Sequence, residues 1–90
     1  MMPTVAFTEN IQRHIACPTV QVEGATVYEA MRSVFEANPL ARGYLLDDRG
    51  AVRKHMVIFV DGEGVKDRDR LSDPVSTDSE IYVMQALSGG

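Results

Sequence analysis

The sequence has little cysteine and no apolar run long enough to cross a membrane. Its single cysteine, Cys17, excludes an internal disulfide and supplies too few thiolates for a structural zinc ion or an iron–sulfur cluster. No apolar stretch approaches the roughly 18 residues that a membrane span needs. The start, Met1-Met2-Pro3-Thr4, lacks a basic segment followed by an apolar one, so we expect no secretory signal. These features favour a protein of the reducing cytoplasm with no membrane partner.

An excess of positive charge is also missing. The 90 residues include 9 lysines and arginines against 13 aspartates and glutamates, which gives a formal net charge of −4. A protein that binds nucleic acid needs a basic face to neutralise phosphates, so we expect no nucleic-acid partner. The balance suggests instead a mild preference for basic partner surfaces. With 44% hydrophobic and 24% charged residues, the chain has the composition of one small globular domain.

Residues 4–8 and 18–23 show the alternation of a half-buried strand. Val5 and Phe7 alternate with smaller or polar residues, and the second segment repeats this pattern. The segment between them, residues 10–17, is polar enough to connect two strands of a hairpin. We therefore predict an antiparallel pair of strands at the start of the chain.

An amphipathic helix is predicted to follow Thr26. Thr26 and Glu29 have the spacing of a capping box, in which each side chain satisfies a backbone N–H at the start of a helix. Asn38-Pro39 should end the helix, because the residue before a proline is driven out of the helical region. The apolar stripe has helical spacing and consists of Val27, Ala30, Met31, Val34 and Phe35.

The second half of the chain predicts two further strands, over residues 54–60 and 80–87. Asp61-Gly62 is a tight-turn dipeptide that closes the first of them, and residues 66–70 read as an exposed charged loop. The predicted order is β-β-α-β-β, a two-layer α+β domain with a mixed sheet and one main helix across one face. If the last strand lies beside the first, the two should run parallel.

The sequence ends on Leu87-Ser88-Gly89-Gly90, directly after an apolar run typical of a strand. Because glycine has no Cβ, a glycine tail that continues a strand can hold a carboxylate on a thin stalk and enter a narrow channel in a partner. Four extended residues span at most about 13–14 Å. A frayed end is the alternative interpretation, since chain termini are commonly disordered and rich in small residues.

This order of elements with a Gly-Gly end resembles ubiquitin-like sulfur-carrier proteins of the ThiS/MoaD type, which have the β-grasp fold. The segments 53–63 and 81–90 are most similar to the branch that serves cysteine biosynthesis and related thio-metabolite pathways. The resemblance covers the whole chain, although only the glycine tail is a chemical motif. It implies a β-grasp domain over residues 1–86 and a flexible tail over residues 87–90. Many relatives carry proline where this chain has Gln85, which leaves the tail slightly less stiff.

The resemblance implies that the chain is a substrate of other enzymes and not an enzyme itself. An ATP-dependent, E1-like enzyme would adenylate the carboxylate of Gly90, which follows Gly89, and a sulfur donor would displace AMP to leave a C-terminal thiocarboxylate. A sulfur-accepting biosynthetic enzyme would be the second partner, and a metalloprotease would trim a precursor that extends beyond Gly90. The carrier would bind no cofactor and no metal. Cysteine, thio-siderophore, molybdopterin and thiazole pathways all remain open.

The two later strands have apolar residues at positions of both parities. Where one set faces the helix, the other must point away from it, and an antiparallel sheet covered on one side should carry polar residues there. Exposed apolar patches mark interaction sites. The apolar residues of the outer set would also be explained if the strands are central and partly covered by loops or by self-association. We predict a partner-docking surface that consists of Val57, Phe59, Tyr82, Met84, Leu87 and Ser88.

Other interpretations of the sequence remain open or are rejected. A nucleophilic Cys17 paired with His14 or His55 is less favoured than packing or surface roles, because residue type alone establishes no geometry. The segment 61–66 lacks the fifth-position ligand and the sixth-position glycine of a calcium loop, so a calcium site is rejected. A ubiquitin-like modifier joined to lysines through Gly90, or a binding subunit that is never activated, remains an alternative function.

Overall fold

A computed structural model describes residues 3–13, 15 and 18–85 of the chain. The strands of this part form one sheet in the order β2-β1-β5-β3-β4, with β1 parallel to β5 and the other neighbours antiparallel. The predicted mixed sheet and the parallel pairing of the last strand with the first are confirmed. The elements are β1 Thr4–Phe7, α1 Glu9–Gln12, β2 Val20–Gln21, α2 Val27–Ala37, α3 Pro39–Leu45, β3 Met56–Val60, β4 Glu63–Gly64 and β5 Glu80–Gln85.

The main helix, α2, begins at the predicted capping box. The backbone N–H of Glu29 donates to Thr26 Oγ1 at 3.2 Å, and Glu29 Oε1 accepts from the N–H of Ala25 at 2.9 Å. The first bond satisfies one unpaired N–H group of the first helical turn, and the second ties the residue before the N-cap to the same turn. The helix ends at Ala37, before Asn38-Pro39, as predicted.

The hydrophobic core lies between α2 and one face of the sheet. In α2 the apolar stripe predicted from the sequence is buried, with Phe35 half-buried at its border. Leu71, in the loop before β5, is 1% exposed and closes one side of the core. The side chains that are fully out of solvent include Val27, Ala30, Met31, Met56, Ile58 and Val83.

Two connections contain short helices that the sequence analysis did not predict. Within the segment predicted as a hairpin connection, α1 buries one apolar side chain, Ile11, completely. A single buried residue in a polar segment produces no helical period, so the pattern was missed. The second is α3, which begins directly at Pro39, since proline is well tolerated at the first position of a helix. Asn38-Pro39 therefore ends one helix and starts the next.

The strands are shorter than predicted, and one is additional. The pairing of β2 with β1 covers only Thr4↔Gln21 and Val5↔Val20, whereas the prediction extended over residues 18–23. The start of β3 is at Met56, because Lys54 and His55 form a turn. The additional strand, β4, pairs with the end of β3. The predicted end of the last strand, at residue 87, lies outside the described residues.

Asp61-Gly62 forms the tight turn that joins β3 to β4, as predicted. Both residues have positive φ, 52° and 86°, as a two-residue turn between twisted strands requires. The Asp61 carboxylate also accepts from the Ser79 hydroxyl at 3.1 Å and from the N–H of Glu80 at 2.9 Å. The turn is thereby tied to the start of β5.

The charged segment 66–70 is not simply the exposed loop that the sequence predicted. Arg68 is half-buried, and its Nη2 donates to the carbonyl oxygens of Arg53 at 2.8 Å and Met56 at 2.7 Å. The Asp67 carboxylate accepts from the Ser72 hydroxyl and from the N–H of Arg70. These hydrogen bonds, that of Ser72 first, hold the pKa of Asp67 below its usual value. The prediction failed because charge patterning cannot show which charged groups bond to the backbone.

Candidate partner-docking face

The outer face of β3 and β5 carries four apolar side chains, Val57, Phe59, Tyr82 and Met84, here called the outer quartet. None of the four belongs to the buried core or to the half-buried apolar side chains that pack against it. Tyr82 is 44% exposed and the other three are half-buried. Their alternating neighbours are buried: Met56, Ile58, Ile81 and Val83. The strand faces are thus as the alternation predicts.

Strand register brings the outer quartet together. In the antiparallel pairing of β3 with β5, Val57 lies opposite Met84 and Phe59 lies opposite Tyr82. Directly opposite residues have Cβ atoms about 4.5–5.5 Å apart. The four side chains therefore form a two-by-two block on the uncovered face of the sheet.

Small residues flank the aromatic pair on both sides. Ala6 of β1 lies beside Tyr82, and Gly64 of β4 lies beside Phe59. A Cβ built on Gly64 would meet no atom within 4 Å, so the edge next to Phe59 is open. The two rings therefore stand between two shallow strips of backbone, and a partner can approach them from either side. These neighbours could not be identified from the sequence, because they depend on pairings between distant strands.

One end of the outer quartet borders acidic groups. A concave surface beside Phe59 and Tyr82 is also lined by Asp61, Gly62 and Glu80. Glu80 is exposed and has the same strand parity as Tyr82, so it shares the outer face. The Asp61 carboxylate is engaged by Ser79 and Glu80, and it therefore contributes charge from a fixed position.

The end of β5 is held by side chains from the two unpredicted helices. Gln85 Oε1 accepts from Asn10 Nδ2 of α1 at 3.3 Å and from the Tyr44 hydroxyl of α3 at 3.2 Å. Neither partner could be found from the sequence, since they are 75 and 41 positions away. The sequence did carry one sign of this arrangement, because Gln85 is a polar residue at the inward-facing strand position that follows Ile81 and Val83.

Several predicted site residues lie outside the described part of the chain. They are Leu87, Ser88, Gly89 and Gly90 of the tail, and Cys17 and His14 of the alternative Cys–His pair. His55 is described and is exposed in the turn before β3. Over residues 3–13, 15 and 18–85, no three histidine, cysteine, aspartate or glutamate side chains are grouped so that they could hold a metal ion. No helix in the same residues has the length and apolar character to cross a membrane.

Solved structures of other proteins share the whole fold. The crystal structure of SAMP1 from Haloferax volcanii matches with a TM-score of 0.82 and 20% identity over 100% of both chains. A chain of the Amycolatopsis orientalis BexX/CysO complex matches with a TM-score of 0.81 and 21% identity over 98% of this chain and 99% of that one. Mycobacterium tuberculosis CysO matches with a TM-score of 0.80 and 17% identity over 94% and 99%.

Sequence comparison adds no relative to these structural matches. No protein-family model matches the chain, and no curated protein sequence is significantly similar to it. The structural neighbours share the architecture end to end at low identity. The chain therefore has the ubiquitin-like β-grasp fold, as the resemblance implied.

Proposed function

We propose that this chain is a ubiquitin-like sulfur carrier whose C-terminal Gly90 is activated by an E1-like enzyme. The observation that carries the proposal is the placement of β5. This strand lies in the middle of the sheet, paired with β1 on one side and β3 on the other, and the sequence continues from it to Gly89-Gly90. A tail that follows a central strand continues from a segment that is hydrogen-bonded to a neighbouring strand on each side over most of its length, so docking of the body sets where the tail goes.

The outer quartet supplies the surface by which the body docks. Two of its residues, Tyr82 and Met84, lie on β5, from which the sequence continues to the tail, and all four lie on the face of the sheet opposite the core. The five residues after Gln85 can reach at most about 17–18 Å when extended. A partner that covers the quartet can therefore receive the carboxylate of Gly90 in an active site one short channel away. The solved BexX/CysO complex shows that a protein of this fold binds another protein.

The proposed chemistry needs no acid, base or metal from the carrier. A carboxylate oxygen of Gly90 attacks the α-phosphorus of ATP and pyrophosphate leaves, which turns a resonance-stabilised anion into a mixed anhydride. A sulfide-level sulfur then attacks the acyl carbon and AMP leaves, so that the chain ends in a thiocarboxylate. Docking of the loaded carrier on a sulfur-accepting enzyme would deliver this nucleophile at high effective concentration. The carrier is then a substrate of both enzymes.

A second function, attachment to other proteins, is supported by what one further structural neighbour is called. Small archaeal modifier protein 1 from Methanosarcina acetivorans and Urm1 from Trypanosoma brucei share the fold, with TM-scores of 0.78 and 0.69. The former name describes a modifier, and conjugation to a target lysine would begin with the same adenylation of Gly90. Thiol-resistant adducts on target proteins would identify this function, whereas a thiocarboxylate without adducts would identify the carrier.

ATP–pyrophosphate exchange with the cognate activating enzyme tests the proposal. The protein that ends at Gly90 should support exchange, and a variant that lacks Gly90 should not. The deletion moves the reacting carboxylate back by about 3.3–3.6 Å, and a misplacement of about 1 Å can cost a hundredfold in rate. Circular dichroism of the deletion variant should match that of the full chain. Normal exchange without Gly90 would overturn the mechanism.

A further inference from the structure

Gln85 occupies an unusual place at the end of the central strand. It has the inward parity of Ile81 and Val83, which are 1% and 0% exposed, but it is polar and half-buried. It is also the last residue of β5, and the tail begins two positions later at Leu87. A half-buried polar side chain at the end of an apolar row is stabilised by hydrogen-bond partners on the covered side of the sheet.

The backbone pairing of β5 thins out at this point. Pairing with β1 ends at Phe7↔Val83, and pairing with β3 ends at Met56↔Gln85. At Gln85 the strand therefore has a ladder neighbour on one side only. Past Phe7 the chain turns into α1, which places Asn10 where the strand neighbour has ended.

Two side chains form hydrogen bonds with Gln85, beyond the point where the pairing of β5 with β1 ends. Asn10 Nδ2 and the Tyr44 hydroxyl both donate to Gln85 Oε1, at 3.3 and 3.2 Å. Both distances are slightly beyond the usual range for their donor type, and Asn10 is exposed to solvent, so each bond is weak on its own. The donors come from separate helices, α1 and α3, and converge on one oxygen atom. Rotation of Gln85 away from the covered face would break both bonds at once.

We propose that Gln85, Asn10 and Tyr44, here called the Gln85 clamp, position the tail for activation. The inference rests on the proposed function. The clamp sets the direction in which the chain leaves the sheet, and so the place that Gly90 reaches when the outer quartet is docked. Gln85 is thus a positioning residue. It acts through the tail and does not touch the reacting atoms.

Matched variants of one position test the clamp. Gln85→Glu keeps an acceptor oxygen for both donors, whereas Gln85→Met has a similar length and no such acceptor. In ATP–pyrophosphate exchange, Gln85→Met and Tyr44→Phe should lower kcat by about threefold to tenfold and leave the KM for the carrier within about twofold. Gln85→Glu should stay close to the native protein. Unchanged kcat in both Gln85→Met and Tyr44→Phe, or an equal loss in Gln85→Glu, would overturn the proposal.

A measurement on the free protein separates this inference from the proposed function. The backbone amide order parameter of Gln85 should be close to that of Val83 in the native protein and in Gln85→Glu, near the value of about 0.85 typical of rigid backbone. It should fall clearly below that of Val83 in Gln85→Met. Equal order parameters at residue 85 in both variants would show that no clamp exists, whether or not the protein is adenylated. Absence of ATP–pyrophosphate exchange with the native protein would instead contradict the proposed carrier function alone.

Discussion

Replacing Ile58 with alanine should mainly destabilise the fold, whereas replacing Phe59 with alanine should mainly weaken partner binding, although the two residues are consecutive in β3. Ile58 is 0% exposed and belongs to the core, whereas Phe59 belongs to the outer quartet. Deleting the Ile58 side chain should therefore destabilise the fold, and deleting the Phe59 ring should weaken docking. The two variants form a matched pair, because the substituted residues are neighbours in the same strand and lie at nearly the same distance from the tail.

The magnitudes follow from burial. Ile58→Ala removes three buried carbons, worth about 0.8 kcal/mol each, and leaves a cavity, so the free energy of unfolding should fall by about 3–4 kcal/mol. That is a large share of the roughly 5–13 kcal/mol expected for a domain of this size. Phe59→Ala loses a cross-strand contact with Tyr82 and some half-buried area, about 1 kcal/mol. It should weaken binding to the activating enzyme by about 1–3 kcal/mol, roughly 5- to 150-fold in Kd.

Urea denaturation and a binding titration with the activating enzyme measure the two effects. With equal m-values, the shift of the urea midpoint should be about three times larger for Ile58→Ala than for Phe59→Ala. In the absence of urea, at a temperature where both variants are folded, only Phe59→Ala should lose affinity for the activating enzyme. Tyr82→Ala should behave as Phe59→Ala does. A collapse of the midpoint in both outer variants would show that the assignment of the strand faces is backwards.

Three further changes test other parts of the structure. Gly24→Ala should destabilise the fold by about 1–3 kcal/mol, measured by thermal melting, because a Cβ there would lie 2.7 Å from the backbone nitrogen of Ala30; an unchanged melting temperature would contradict the close approach. Asp67→Asn should lower stability at pH 7, and the gap to the native protein should narrow as the pH falls below about 4, since a depressed carboxylate pKa stabilises only while the group is ionised. A gap that is constant from pH 7 to pH 3 would show that the lowered pKa contributes nothing. Gly89→Val should block ATP–pyrophosphate exchange with native circular dichroism, because the branched side chain is too wide for the channel; normal exchange would argue against threading.

The sequence predicts the elements whose signals are local and repeated. The α2 helix has both a capping box and a continuous apolar stripe, so its start at Thr26 and its end before Asn38-Pro39 are correct. Asp61-Gly62 determines its own turn, because both positions need positive φ. The alternation of strands likewise indicates that Ile58 and Phe59 lie on opposite faces of the sheet, although both are apolar and alternation alone does not show which of them is buried.

What the sequence does not predict depends on long-range partners. The helix α1 is held by one buried residue, Ile11, and α3 begins at a proline that reads equally well as the end of α2. The place of Arg68 depends on carbonyl oxygens 12 and 15 positions away. Likewise, the Gln85 clamp requires that α1 and α3 both exist. Because these two short helices were not predicted, the contacts of the Gln85 clamp could not be predicted either.

Intact mass spectrometry shows whether the carboxylate of Gly90 is activated and loaded with sulfur. The protein that ends at Gly90, without a C-terminal tag, is incubated with its E1-like enzyme, ATP and a sulfur donor. We expect a mass increase equal to the replacement of one oxygen by one sulfur, located on the C-terminal peptide and absent when ATP is omitted. An unchanged C-terminal mass under conditions in which the same enzyme forms pyrophosphate with another carrier would contradict it.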